Sequence, residues 1–206
     1  MFRRQHVFAL ASIAAVIGAT SAGCSDPAQA TPRVTFDSQV TAGTHPTAGC
    51  GHTGEWFSIG GFGNPQLGHM NPDDPNSPLI DPVRPIDDGG SDQQGTVSIS
   101  CSVTAGGDGF DVKATAQLTG ATGGAVSMFG HVVPNADSPN VTVNLTNHDG
   151  ETFKSNMCIV HFDATQGQAV AAGRIWGTAD CADASNDVAS QLCASHLEIR
   201  LENCSQ

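Results

Sequence analysis

Hydrophobic and polar residues alternate with a period of two along much of the chain. Across residues 95–103, Val97, Ile99, Cys101 and Val103 share one face, and Thr96, Ser98, Ser100 and Ser102 share the other. Across residues 109–119, Phe110, Val112, Ala114, Ala116 and Leu118 oppose Asp111, Lys113, Thr115, Gln117 and Thr119. Successive side chains of a pleated strand point to opposite faces, so each segment predicts a strand with one buried side. Between them, Ala105-Gly106-Gly107-Asp108-Gly109 supplies residues that tolerate positive φ, which predicts a hairpin and antiparallel pairing. The same reading predicts strands at 34–40, 56–59, 126–133, 141–145, 157–162, 170–176 and 197–201, separated by Gly, Asn, Asp and Pro. Short strands punctuated by turns predict an all-β fold, an antiparallel β-sandwich or barrel. Only residues 183–192 suggest a helix, opened by an Asp183 or Ser185 cap.

Residues 64–92 interrupt the alternation with Pro65, Pro72, Pro75, Pro78, Pro82 and Pro85 and with six aspartates, among them Asp87 and Asp88. Proline cannot donate to a strand ladder, so a long Pro/Asp-rich loop is expected within a single domain at 34–206. Long loops on rigid scaffolds carry function disproportionately, which directs the search for a recognition surface to residues 49–92.

The chain opens with Arg3-Arg4, an apolar run at 7–17 broken only by Ser12, and small residues up to Cys24. That order predicts a signal peptide at 1–23, whose apolar run is shorter than the roughly 20 residues a membrane span needs. Ser21-Ala22-Gly23-Cys24 resembles the lipobox of bacterial lipoproteins. The resemblance implies an acylated Cys24, a lipidated tether at 24–33, and an exported protein held at the envelope membrane through its lipid. Ser25 resembles the sorting signal for an outer membrane where a cell has one. An ordinary signal peptide would instead leave Cys24 a spare thiol.

Composition narrows the partners. The 206 residues carry 20 Asp+Glu against 8 Lys+Arg, a net charge of -12. Such a chain repels phosphate backbones, so nucleic-acid binding is excluded as a function class. At 39% hydrophobic and 14% charged residues, it is also too apolar for a disordered acidic segment.

Setting Cys24 aside leaves Cys50, Cys101, Cys158, Cys181, Cys193 and Cys204, an even number that predicts three disulfides in an oxidising compartment. The favoured pairings are Cys181 with Cys193 across a short polar stretch, Cys101 with Cys204 through the terminal strand, and Cys50 with Cys158. There is no C-x-x-C spacing to suggest redox exchange or a zinc ribbon. The segment Gly95-Thr96-Val97-Ser98-Ile99-Ser100-Cys101, its alternating successor and a C-terminal strand closing on Cys204 resemble the layout of the LpqH-type mycobacterial lipoprotein antigens. The resemblance implies a surface lipoprotein without a catalytic motif.

Candidate chemistry is sparse. His45, His52 and His69, with Met70, offer imidazole and thioether ligands that suit copper or zinc. The aspartates of 73–92 offer oxygen ligands for calcium. Trp56, with Phe57, Phe62, Asp87 and Asp88, suggests an aromatic ligand platform, although Trp56 and Trp176 also suit a core that needs volume. No G-x-S-x-G nucleophile motif occurs. The expectation is an envelope lipoprotein with no cofactor and no enzyme activity, a binding or structural module for a protein or glycan. The alternative is a metal-dependent exported protein using the His/Asp region at 45–92.

Overall fold

The computed structural model describes residues 30–43, 49–62, 84–92, 95–186 and 191–206 in full, and 64–71 and 74–81 as backbone alone. Cys24, the expected signal peptide at 1–23 and His45 lie outside the described residues.

The strands in chain order are β1 (Arg33–Ala42), β2 (Gly54–Ile59), β3 (Asn64–Asn71), β4 (Asp74–Asp81), β5 (Ile86–Asp87), β6 (Ser91–Asp92) and β7 (Gly95–Gly106). They continue as β8 (Gly109–Thr119), β9 (Gly124–Val132), β10 (Ser138–Thr146), β11 (Thr152–His161), β12 (Ala169–Ala171), β13 (Arg174–Asn186) and β14 (Gln191–Glu202). Twelve of them form one antiparallel sheet in the order β2-β1-β14-β13-β11-β10-β9-β8-β7-β6, with β5 on β1 and β12 on β13, and the sheet curls nearly into a barrel.

Alternation builds this sheet as the sequence predicts. The β7–β8 ladder runs without a break from Thr96 opposite Thr119 to Gly106 opposite Gly109. Val97, Val103, Val112, Ala114 and Leu118 turn inward and are buried, as are Phe36 on β1 and Leu197, Ile199 and Leu201 on β14. Each such Val, Leu, Ile or Phe contributes about 1.5–3 kcal/mol through burial. These side chains form one continuous cluster that fills the inside of the curled sheet.

Two stretches of chain close the seam along the open side of the sheet at β7, one towards β1 and one towards the turn before β13. The first is residues 86–92. Ile86 pairs with Val34 of β1, and Ser91 pairs with Thr96 of β7. Between them the Asp88 amide donates to the Pro32 carbonyl at 2.8 Å, the Gly89 amide to Val97 at 2.9 Å, and the Val97 amide to Gly90 at 2.8 Å. The Asp88 carboxylate accepts the Ile99 amide at 2.7 Å. The second stretch is the tail after β14. The Val103 amide donates to Ser205, the Gly173 amide to Val103 and the Cys204 amide to Gly173, each at 2.9 Å. Closure satisfies backbone groups that would otherwise form an open sheet edge.

The structure corrects three expectations. Residues 64–92 are not one long loop: β3 and β4 pair as a separate two-stranded sheet, and β5 and β6 belong to the seam. Every strand of a two-stranded sheet is an edge strand, so Pro65, Pro75 and Pro78 lack a donor only where a ladder need not use it. Residues 183–192 hold no helix among those described, because β13 runs to Asn186 and β14 starts at Gln191, with Ala184 opposite Cys193. A register shift between Cys181 and Ala184 gives this polar stretch an irregularity that mimics a break in the strand.

The third correction concerns the disulfides. Cys101 pairs with Cys204 as expected, but Cys158 pairs with Cys181 and Cys50 with Cys193. Ile159 lies opposite Asp180 on the antiparallel strands β11 and β13, so Cys158 and Cys181 face each other inside the barrel. Their Cα atoms are 4.2 Å apart. Cys193 is thereby left to the segment following β1, which brings Cys50 to it.

Candidate functional site

With the interior packed, the chemistry of the described residues lies on the outer faces of the strands. On β13 the inward Ile175, Gly177 and Ala179 alternate with Arg174, Trp176, Thr178 and Asp180. On β14 the outward set is His196, Glu198, Arg200 and Glu202. Register places Trp176 opposite Arg200, Thr178 opposite Glu198, and Asp180 opposite His196. On the far side of β14, Arg33 of β1 lies opposite Glu202 and Asp37 opposite Glu198.

These side chains form an arginine and tryptophan recess. The Arg200 guanidinium lies 4.9 Å from the Trp176 ring centre. Its Nε and Nη2 donate to Glu202 Oε1 at 3.2 and 2.7 Å. Arg33 Nε meets the other oxygen, Glu202 Oε2, at 2.8 Å. Trp176 Nε1 donates to Glu198 Oε1 at 2.7 Å, which fixes the indole. Arg174 is exposed, and its side chain makes no hydrogen bond or ion pair among the described residues. Gly167, Ala169, Arg174, Trp176, Arg200 and Glu202 line a cavity of about 180 Å³.

The wall of this recess is held by a turn. Asp163 caps the 3-10 turn Ala164–Gln166, accepting the Thr165 amide at 2.9 Å, and the turn ends on Gly167 at φ 82°. Hydrogen bonds from Thr165, then Gln166, hold the Asp163 carboxyl below the usual carboxylate range. A Cβ on Gly167 would stand 3.5 Å from the Trp176 ring, so the bare backbone itself borders the indole.

Glu198 separates this recess from an acidic hollow of about 420 Å³ lined by Asp37, Glu55, Ser58, Phe62 and Glu198 itself. Burial, then the neighbouring Glu55, raises the Asp37 carboxyl above its ordinary value. Elsewhere histidines face carboxylates. His131 meets Asp111 at 2.9 Å and Asp108 at 3.0 Å, and those bonds, Asp111 first, raise its pKa while that of Asp108 is lowered. His161 bridges Asp137 at 2.8 Å and Asp180 at 3.4 Å, and Asp180 also holds His196 at 2.7 Å.

The residues singled out from sequence are used differently. Trp56 is half-buried: it packs edge-on against Phe153 at 5.2 Å and His52 at 5.1 Å, touches both core clusters, and with His52, Glu55 and His148 lines a cavity of about 200 Å³. Asp87 sits in β5 opposite Arg33, and Asp88 is committed to the Ile99 amide. His52 Nε2 lies 3.3 Å from Glu151. His69 falls in β3, where the backbone alone is described. No group of three or more His, Cys, Asp or Glu among the described residues could hold a metal ion. The recess itself was missed, although Arg174-Ile175-Trp176 and Ile199-Arg200-Leu201 carry its signal: a period of two puts Trp176 and Arg200 opposite the buried isoleucines.

No protein family, curated protein or solved structure matches the chain.

Proposed function

We propose that the protein is an exported, lipid-anchored binding module of the cell envelope that holds its ligand on the outer face of β13 and β14 and carries out no chemistry on it. The observation that carries this reading is the Arg174 guanidinium, unpaired among the described residues, which lines a cavity with Trp176 on the outside of a packed barrel. A barrel filled by side chains has no lumen for a ligand, so recognition falls to its surface. The three disulfides are compatible with an exported protein in an oxidising compartment. The charged start, short apolar run and small residues before Cys24 support an acylated N-terminus there.

Two measurements test the proposal. Mass spectrometry of the native protein is expected to find residue 24 at the N-terminus with acyl chains attached, and an unmodified N-terminus at any other position contradicts anchoring. Amide chemical-shift mapping against fractionated envelope saccharides and peptides is expected to perturb Ala169, Arg174, Trp176 and Arg200. Perturbations confined to 49–62 or 84–92 contradict the placement of the site.

A further inference from the structure

We propose that the recess on β13 and β14 binds the carboxylate of a single-ring acid, with the carboxylate on Arg174 and the ring along Trp176; this rests on the outer-face binding reading above. Three features define the ligand.

The first is the state of the guanidinium groups. Arg200 donates to one oxygen of Glu202 and Arg33 forms an ion pair with the other, so both already face a carboxylate. Arg174, exposed at the start of β13, is left with its planar fork unfilled among the described residues. A guanidinium presents two parallel N–H donors that match the two oxygens of one carboxylate.

The second feature is charge. Arg174 and Arg200 against Glu202 leave the cavity lining at +1, on a chain whose net charge is -12. Glu202, which lines the cavity with Arg174, opposes a second negative charge on the ligand. The surrounding field also disfavours a polyanion, since like charge repels along the whole approach. A monoanion fits both constraints.

The third feature is shape. The Trp176 ring is pinned at Nε1 by Glu198 and backed by Arg200, so it presents a rigid edge rather than a mobile side chain. Ala169 and the side-chain-free Gly167 stand beside it. A cavity of about 180 Å³ with this wall suits one ring and not a longer chain. Sugar rings and aryl rings both pack against indole, and the experiment separates these two sources of the same carboxylate chemistry.

The chain has two tryptophans, so a nitrogen-correlated proton spectrum resolves two indole N–H signals. The folded protein is titrated with glucuronate, benzoate and glucose while both are followed. The proposal expects the Trp176 signal to move and the Trp56 signal to stay, with at least one acid binding ten times or more tighter than glucose. R174Q is expected to remove that advantage, while K113Q, on β8, leaves it intact. Glucuronate binding more tightly than benzoate assigns the ring to a saccharide, and the reverse assigns it to an aryl acid. Glucose binding as well as the acids, or R174Q binding them unchanged, overturns the carboxylate assignment and leaves the face standing as a site. Silence of Trp176 towards all three probes at tens of millimolar overturns the proposal, and if the envelope fractions are silent there as well, the outer-face reading falls with it.

Discussion

Replacing the Cys101–Cys204 disulfide by two alanines opens the barrel at the tail seam. With the other two bridges intact, the shortest covalent path between these cysteines runs 51 residues from Cys101 to Cys50, across to Cys193, and 11 residues on to Cys204. A loop of about 62 residues corresponds to about 4 kcal/mol of unfolded-state entropy in the chain-closure treatment. The Cys158–Cys181 bridge closes a separation of 23, which corresponds to about 3 kcal/mol by the same relation. The tail variant also loosens the hydrogen bonds that Ser205 and Cys204 make with Val103, Cys101 and Gly173. C101A/C204A is therefore expected to melt roughly 8–16 °C below the native protein, and further below it than C158A/C181A does. Calorimetry reads the first quantity, and amide hydrogen exchange at Val103 and Gly173 reads the seam directly. If C101A/C204A costs less than C158A/C181A, and the Val103 amide keeps its protection, the tail is an ornament on a barrel closed by other means.

Other perturbations test separate parts of the structure. D88A removes the acceptor of the Ile99 amide in the other seam and should cost about 2 kcal/mol by urea unfolding; a loss within error means residues 86–92 do not fasten β7. G95A places a Cβ against the Thr119 carbonyl and should cost about 3 kcal/mol or prevent folding, read by circular dichroism. The raised His131 pKa means its pairing with Asp111 and Asp108 stabilises the fold fully below the unfolded value of 6.5 and is lost as pH rises through the folded value. Ring-proton titration should show a His131 midpoint above 6.5 that falls in D111N; an unshifted midpoint refutes the pairing.

Legibility of the fold in the sequence followed the clarity of its alternation. β7 and β8 were readable almost throughout, because polar and apolar residues alternate there, although β7 runs on to Gly106 and shortens the turn expected at 105–109, and Cys101 on the inward face led to Cys204. Residues 64–81 were not readable as strands, because prolines that forbid a central strand are harmless in a two-stranded ribbon. The stretch around Asp183 was obscured by the irregular pairing between Cys181 and Ala184, and that irregularity also drew Cys181 towards Cys193 in the sequence reading. The recess was obscured differently. Tryptophan is expected to supply core volume, and Trp56 packs half-buried against both core clusters, whereas Trp176 shares a strand face with Arg174 and meets Arg200 only through the β13–β14 register. Pairing across strands far apart in sequence is a tertiary fact that no local window contains.

The claim that a cationic binding recess surrounds Trp176 on an acidic barrel is tested most directly by quenching its fluorescence with ions of opposite sign. W56F leaves Trp176 the sole tryptophan, and Trp56 Nε1 makes no hydrogen bond among the described residues for that change to break. In this background the iodide-to-caesium quenching ratio of Trp176, divided by that of free N-acetyltryptophanamide, should exceed one despite the chain's net charge of -12, and adding R174Q should lower it to one or below. A normalised ratio of one or below with Arg174 in place would contradict the account.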